Sequence, residues 1–202
     1  MIGLSHAGDL NKELINASVK GNIDDIKKLL IAGADINTKD NAIQTTPIAL
    51  AANRGHLEVV KFLFSQGAQI DAVCNIGTSA LMIASAKGHL EVVRFLLNAG
   101  ANHRLLDIKG FSALTFAASA GNIAVCKLLI DKGAIVDLRN PNGPTPLYIA
   151  AIKGNKGIVS YLLGKGADPN VSISTGGSNI NAASAARLRG YNEIANLLEN
   201  GY

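Results

Sequence analysis

Residues 55–64 read Gly55-His56-Leu57-Glu58-Val59-Val60-Lys61-Phe62-Leu63-Phe64. Apolar side chains fall at 59, 60, 62, 63 and 64, a spacing that gathers them on one wide face of a helix. The pattern returns with Val92, Val93, Phe95, Leu96 and Leu97, then with Val125, Cys126, Leu128, Leu129 and Ile130, then with Ile158, Val159, Tyr161, Leu162 and Leu163. Six such stretches open on a glycine: Gly21, Gly55, Gly88, Gly121, Gly154 and Gly190, separated by 34, 33, 33, 33 and 36 residues. A second glycine, followed by Ala, closes five of them at Gly33, Gly67, Gly100, Gly133 and Gly166. The backbone just past a helix end often turns left-handed, and that conformation costs glycine least. A fixed period of this length is the mark of a repeat architecture.

A second helix precedes each leading glycine. In Thr145-Pro146-Leu147-Tyr148-Ile149-Ala150-Ala151 the threonine can cap the helix start. The proline suits the first helical position, where its missing N–H would have no partner anyway. Thr46-Pro47-Ile48 repeats the arrangement, and Ser79-Ala80-Leu81 and Ser112-Ala113-Leu114 are weaker versions. The pairs Ala51-Ala52, Ala117-Ala118 and Ala150-Ala151 let neighbouring helices approach closely.

Thr-Pro-Leu-x-x-Ala-Ala, Gly-His-Leu-Glu-Val-Val and Gly-Ala-Asp-x-Asn at a period of 33 resemble the ankyrin repeat, over residues from about 10 to 202. The resemblance implies an all-α ankyrin-repeat solenoid of stacked helix-turn-helix units with projecting hairpin loops. It is expected to be a single domain over 1–202, with repeats at 9–37, 38–71, 72–104, 105–137, 138–170 and 171–202. The end repeats are expected to act as caps. Asp25 and Lys28 stand at the positions of Val59 and Phe62, and Glu199 at that of Phe64, as a polar outer face requires. One departure concerns the His that the family carries after Thr-Pro-Leu. Ala49, Met82, Thr115 and Tyr148 take that position, so local packing is expected to replace the family's Thr–His hydrogen bond.

Helix pairs stacked about 8–10 Å apart present the same sequence position on the same side, with loops as parallel fingers and no deep pocket. That geometry suits a partner's surface or a peptide better than a small substrate. The resemblance implies the same: a protein-interaction module that binds a partner through its concave face and finger loops, with contacts on the finger tips and the ends of the first helices. By position the fingers hold Lys39 and Asn41, then Val73, Asn75 and Ile76, then Leu106, Ile108, Lys109 and Phe111, then Arg139, Pro141 and Asn142. The third finger, Leu105-Leu106-Asp107-Ile108-Lys109-Gly110-Phe111, carries large apolar side chains where polar ones are usual. Either they are an interface anchor, with Ile108 and Phe111 exposed, or part of the group tucks under the hairpin.

The residue before each leading glycine is Lys20, Arg54, Lys87, Ala120, Lys153 and Arg189. Cations at a helix C-terminus are favoured by the macrodipole. A row of them, Arg54, Lys87 and Lys153 among them, would also meet an acidic partner and speed encounter.

The remaining features limit the function. A net charge of +4 is mildly basic and shows no Lys/Arg-rich arm. The aromatic residues fall mostly in core positions, not interleaved with cations as single-strand stacking needs, so nucleic-acid binding ranks below protein binding. A scaffold or spacer within a larger complex is the main alternative. No phosphate-binding loop, His-Glu-x-x-His helix or Gly-x-Ser-x-Gly elbow occurs, so no enzyme, cofactor or metal is expected. His56 and His89 share one slot a repeat apart and read as a repeat feature. Cys74 and Cys126 form no CxxC pair, and reduced thiols fit a cytosol, the protein's own or a host cell's. No basic-then-apolar leader and no membrane-length apolar run is evident.

Overall fold

A computed structural model describes residues 3–141, 143–175 and 178–200. Helices follow one another in pairs: α1 (Gly3–Lys20) and α2 (Ile23–Ile31), α3 (Pro47–Arg54) and α4 (Leu57–Ser65), α5 (Ala80–Lys87) and α6 (Leu90–Asn98). Next come α7 (Ala113–Ala120) and α8 (Ile123–Asp131), then α9 (Pro146–Ile152) and α10 (Lys156–Gly164). A short hairpin of β1 (Ser172–Thr175) and β2 (Ser178–Asn181) precedes α11 (Ala182–Leu188) and α12 (Asn192–Asn200). Among the described residues the fold is all-α apart from that hairpin, whose register pairs Ile173 with Ile180 and Ser172 with Asn181, and an isolated bridge between Val73 and Ser79. The hairpin is where the sequence carries extra residues before the last helix pair. Gly176 and Gly177 of that insertion lie outside the described residues.

Two compact units are present. The first holds the residues up to Ala84 with His89–Asn102, and the second holds Ser85–Gly88 with the residues from His103 onward, so that α5 contributes to both. In the first unit α1 packs on α2 and α3, and α4 packs on α3, α2 and α6. Its core joins Val60, Leu63 and Leu96 of the apolar face read from the sequence to Leu14, Ile26 and Ile48, all essentially inaccessible to solvent. In the second unit α7 packs on α8 and α9, and α9 on α10 and α11, over Leu114, Cys126, Leu129, Leu147 and Leu162. The alanine pairs on the first helices are fully buried, as close helix approach requires. Burial pushes the Cys126 thiol up to about 12, so it stays protonated and behaves as a small apolar side chain.

The leading and trailing glycines both have positive φ, for different surroundings. Gly55 (φ +75) ends α3 in a Schellman turn: its N–H donates to Ala52 O at 3.2 Å, and His56 N donates to Ala51 O at 3.0 Å. A Cβ at Gly55 would stand 2.7 Å from Nδ1 of His89, because the next repeat lays its His over this turn. At the trailing Gly67 (φ +94), a Cβ would meet nothing within 4 Å.

The side chains over Gly21, Gly55, Gly88 and Gly121 do a specific job. His56 Nε2 lies 3.0 Å from Val19 O, and His89 Nε2 lies 3.0 Å from Asn53 O. Asn122 Nδ2 donates to Ser85 O at 2.9 Å and Ala86 O at 3.1 Å, and Asn155 Nδ2 donates to Ala118 O at 2.7 Å. The last carbonyls of a helix have no partner of their own, and here the following repeat supplies the donor.

A second ladder joins the loops after the second helices. Asn37 Oδ1 accepts from Gln69 N at 2.9 Å, Asp71 Oδ1 from Asn102 N at 2.9 Å, and Asp137 Oδ2 from Asp168 N at 3.0 Å. Burial raises the Asp137 carboxyl above the ordinary aspartate range; the Asp168 N–H opposes this, the Asp168 charge adds to it and Arg139 opposes it. A raised folded-state value means that the stabilisation from the protonated form is complete below the unfolded value and lost as pH rises through the folded one. The ionised carboxylate therefore costs stability at neutral pH. Asn37 already performs the same bonding without charge, so Asp137→Asn is expected to raise the urea midpoint at pH 7. The gain should disappear as pH falls through the carboxylate range, near the ordinary Asp value of about 3.9. A lower midpoint at pH 7 would contradict this.

The helix starts correct one expectation. Thr115 stands in the slot where the family carries His and restores a reciprocal bond. Ser112 Oγ accepts from Thr115 N at 3.2 Å, and Ser112 N donates to Thr115 Oγ1 at 3.3 Å. Thr145 Oγ1 caps α9 by accepting from Tyr148 N at 3.1 Å. Among the described residues the side chains of Ala49, Met82 and Tyr148 make no such return bond, so packing takes its place there; Thr46 also makes no capping bond, and its buried hydroxyl has no partner.

Candidate interaction surface: finger loops and first-helix ends

The third finger is built on Asp107. This buried carboxylate accepts from Lys109 N at 2.9 Å and Phe111 N at 2.8 Å. Asp107 N donates to Phe111 O at 3.0 Å, and Gly110 N donates to Asp107 O at 2.9 Å. A short Asp side chain closing its own turn is the local chemistry that favours Asp there. The turn separates the apolar side chains. Ile108 stands at the tip, 67% exposed, beside exposed Lys109. Phe111 is half-buried and meets Phe116 of α7 edge to face, with centroids 5.8 Å apart. Leu105 and Leu106 are half-buried beneath the tip. Of the four apolar residues in this finger, Ile108 is the one presented to solvent.

Fingers of the first unit present the same kind of side chain. Asp40 Oδ1 accepts from Ile43 N and Thr45 N, and exposed Ile43 crowns that turn. Gln44 takes the left-handed conformation (φ 59) that Gly77 and Gly110 take in the next two fingers. In the second finger Cys74, buried, occupies the aspartate's slot, and Ile76 is exposed. Asn75 N donates to Ile43 O at 3.1 Å, and Lys39 Nζ donates to Val73 O at 3.2 Å, so these two fingers are tied together. Sequence reading missed Ile43. The signal was there: it lies three residues before Thr46, as Ile76 lies three before Ser79, but the extra residue Asn41 hides the match.

The fourth finger differs from expectation. The Arg139 guanidinium turns back on its own loop, donating to Asn140 O at 3.2 Å, to Pro141 O and to Gly143 O at 3.3 Å. It staples the loop and is not extended toward solvent. Asn142 lies outside the described residues.

The first-helix ends carry exposed Lys20, Arg54, Lys87, Lys153 and Arg189, none in an ion pair among the described residues. Cations on the second helices are different: Lys27 pairs with Asp24, Lys61 with Glu58 and Arg94 with Glu91, each within its own helix. Exposed pairs of that kind contribute little, about 0.3–0.5 kcal/mol.

The family model for ankyrin repeats (3 copies) matches residues 14–107 and 99–173. The chain belongs to the ankyrin repeat family. Its architecture is therefore the ankyrin-repeat solenoid. It is 39% identical over 56 residues to alpha-latrotoxin-Lh1a of Latrodectus hasselti, a stretch covering 28% of this chain and 4% of the toxin. It is 34% identical over 58 residues to an ankyrin repeat protein of Rickettsia felis, covering 29% of this chain and 86% of that protein. The chain thus spans only a small part of the toxin's length. Ankyrin repeats are generally protein–protein interaction modules and generally non-catalytic. Among the described residues no three His, Cys, Asp or Glu side chains converge as metal ligands would. No described helix is long and apolar enough to cross a membrane.

Proposed function

We propose that this ankyrin-repeat protein is a non-catalytic module that binds a partner protein through its finger tips and the cationic ends of its first helices. The observation that carries the reading is Ile108, a 67% exposed isoleucine on a turn closed by a buried aspartate. An apolar side chain on a hydrogen-bonded turn needs little ordering of the backbone on docking, which favours it as an anchor. Lys109 beside it extends the contact, while Leu106 and Phe111 support the tip from below.

The partner is acidic where it meets Arg54, Lys87 and Lys153. For Arg54 and Lys87 the helix-end explanation is weakened by the ladder, because the carbonyls of Asn53, Ser85 and Ala86 already accept side-chain donors. The setting is cytosolic, in keeping with two buried free thiols. Affinity capture with the full chain, followed by association kinetics on the captured protein, tests the reading. Arg54→Glu, Lys87→Glu and Lys153→Glu together are expected to slow association by roughly tenfold or more at low salt and less at high salt. An unchanged on-rate leaves these cations with the helix-end role only.

A scaffold or spacer role would instead hold the chain against a fixed neighbour, with the tips free. Capture of a partner whose binding ignores every tip and helix-end substitution would favour that alternative.

A further inference from the structure

Charge is unevenly divided between the two units. The C-terminal unit holds eleven Lys and Arg against six Asp and Glu, a formal +5; the other holds eight against nine, a formal −1. Most of the six acids are engaged. Asp107 closes its turn, Asp137 and Asp168 accept backbone N–H groups, Glu193 pairs with Lys156 at 2.9 Å, and Glu199 pairs with Arg187 at 2.7 Å. Lys153 and Arg189 have no such partner among the described residues.

These two cations edge an apolar strip. α9 packs against both α7 and α11. Residues four apart on a helix share a face, and in equivalent slots these helices carry Thr115 and Ser119, Tyr148 and Ile152, and Ser184 and Leu188. At the second slot of each pair the strip is polar on α7, at Ser119, and apolar on α9 and α11, at Ile152 and Leu188, with Tyr148 beside Ile152 on α9. Leu188 is 77% exposed, and Ile152 and Tyr148 are half-exposed. Burial raises the Tyr148 phenol above its ordinary value, and the Arg189 charge opposes this.

We propose that Tyr148, Ile152 and Leu188, edged by Lys153 and Arg189, dock a short acidic amphipathic segment of a partner protein. The proposal rests on the protein-binding reading above and assigns one partner element to one face. Apolar side chains of the segment cover Ile152 and Leu188, and its carboxylates meet two cations that no carboxylate among the described residues neutralises. A single-stranded nucleic acid would need exposed rings to stack on, and the most exposed side chain here is aliphatic.

The test pans displayed random peptides on the full chain and compares binding to Leu188→Ser, to Lys153→Gln/Arg189→Gln, to Leu188→Met and to Ile108→Ser. All five substitutions are at exposed positions, and urea midpoints equal to that of the parent verify the fold. Enriched peptides are expected to carry Asp and Glu around two or more large apolar residues. They should bind the first two variants roughly tenfold more weakly, and Leu188→Met and Ile108→Ser like the parent. Neutral or basic peptides, or acidic ones that ignore both variants, overturn the proposal. Peptides lost on Ile108→Ser but kept by Leu188→Ser overturn it while upholding the finger reading, and an absence of enrichment counts against both. Phosphatidylserine vesicles and single-stranded DNA are run in parallel. Binding to either that depends on Leu188, in place of peptide binding, reassigns the face and overturns the proposal.

Discussion

Gly55→Ala is expected to destabilise the chain by about 3 kcal/mol, and Gly67→Ala by about 1 kcal/mol. Both glycines are left-handed, at φ +75 and φ +94, so the backbone strain of about 1–2 kcal/mol is common to them. The difference is the neighbour. A Cβ at Gly55 would lie 2.7 Å from His89 Nδ1 and 2.9 Å from its Cε1. The imidazole must move, which breaks its 3.0 Å contact with Asn53 O and leaves a part-buried carbonyl without a donor. Losing such a bond costs about 1–3 kcal/mol. Urea unfolding of the two variants gives the comparison directly. The double change Gly55→Ala/His89→Ala should cost less than the sum of the single changes, because the clash and the bond disappear together. Equal losses at Gly55 and Gly67 would mean that the His ladder does not hold neighbouring repeats.

Ile108→Ser is expected to weaken partner binding by roughly 30-fold, about 2 kcal/mol, with no change in the urea midpoint. Phe111→Ala is expected to do the reverse, costing about 2 kcal/mol of stability as the ring leaves Phe116. The two residues must be changed separately. A double substitution mixes a lost anchor with a loosened finger, and its loss of binding could then be misread as evidence for Phe111 contact. Titration calorimetry against the captured partner, paired with urea unfolding of each variant, resolves the two roles. Full binding by Ile108→Ser would remove the third finger from the interface.

The helix pairs, their apolar faces and both sets of glycines are legible in the sequence because each appears several times in register. Val59, Val92, Val125 and Ile158 mark the same face whatever the individual residue does. What sequence could not show depends on the adjoining repeat. His56 and His89 read as a shared slot, but their bonds to Val19 O and Asn53 O follow from stacking, which no single repeat contains. The start of α1 at Gly3, before the expected 9–37 repeat, falls in a stretch with no equivalent elsewhere in the chain. The finger tips were legible as positions but not as orientations. Ile108 and Phe111 sit three residues apart, and only the closure of the turn on Asp107 sends one to solvent and the other onto Phe116. Arg139 shows the same limit, since a cation at a tip can reach outward or bond to its own loop.

The apolar tip outside the fold's core is the central claim, and site-specific photo-crosslinking tests it most directly. A photoreactive phenylalanine analogue is placed at position 108, and in a separate protein at the exposed Glu58 on α4, each expressed in the cells that make this protein. The account predicts a discrete protein adduct from position 108 and none from position 58. Adducts of equal yield from both positions, or none from 108 while the chain is folded and bound, would contradict it.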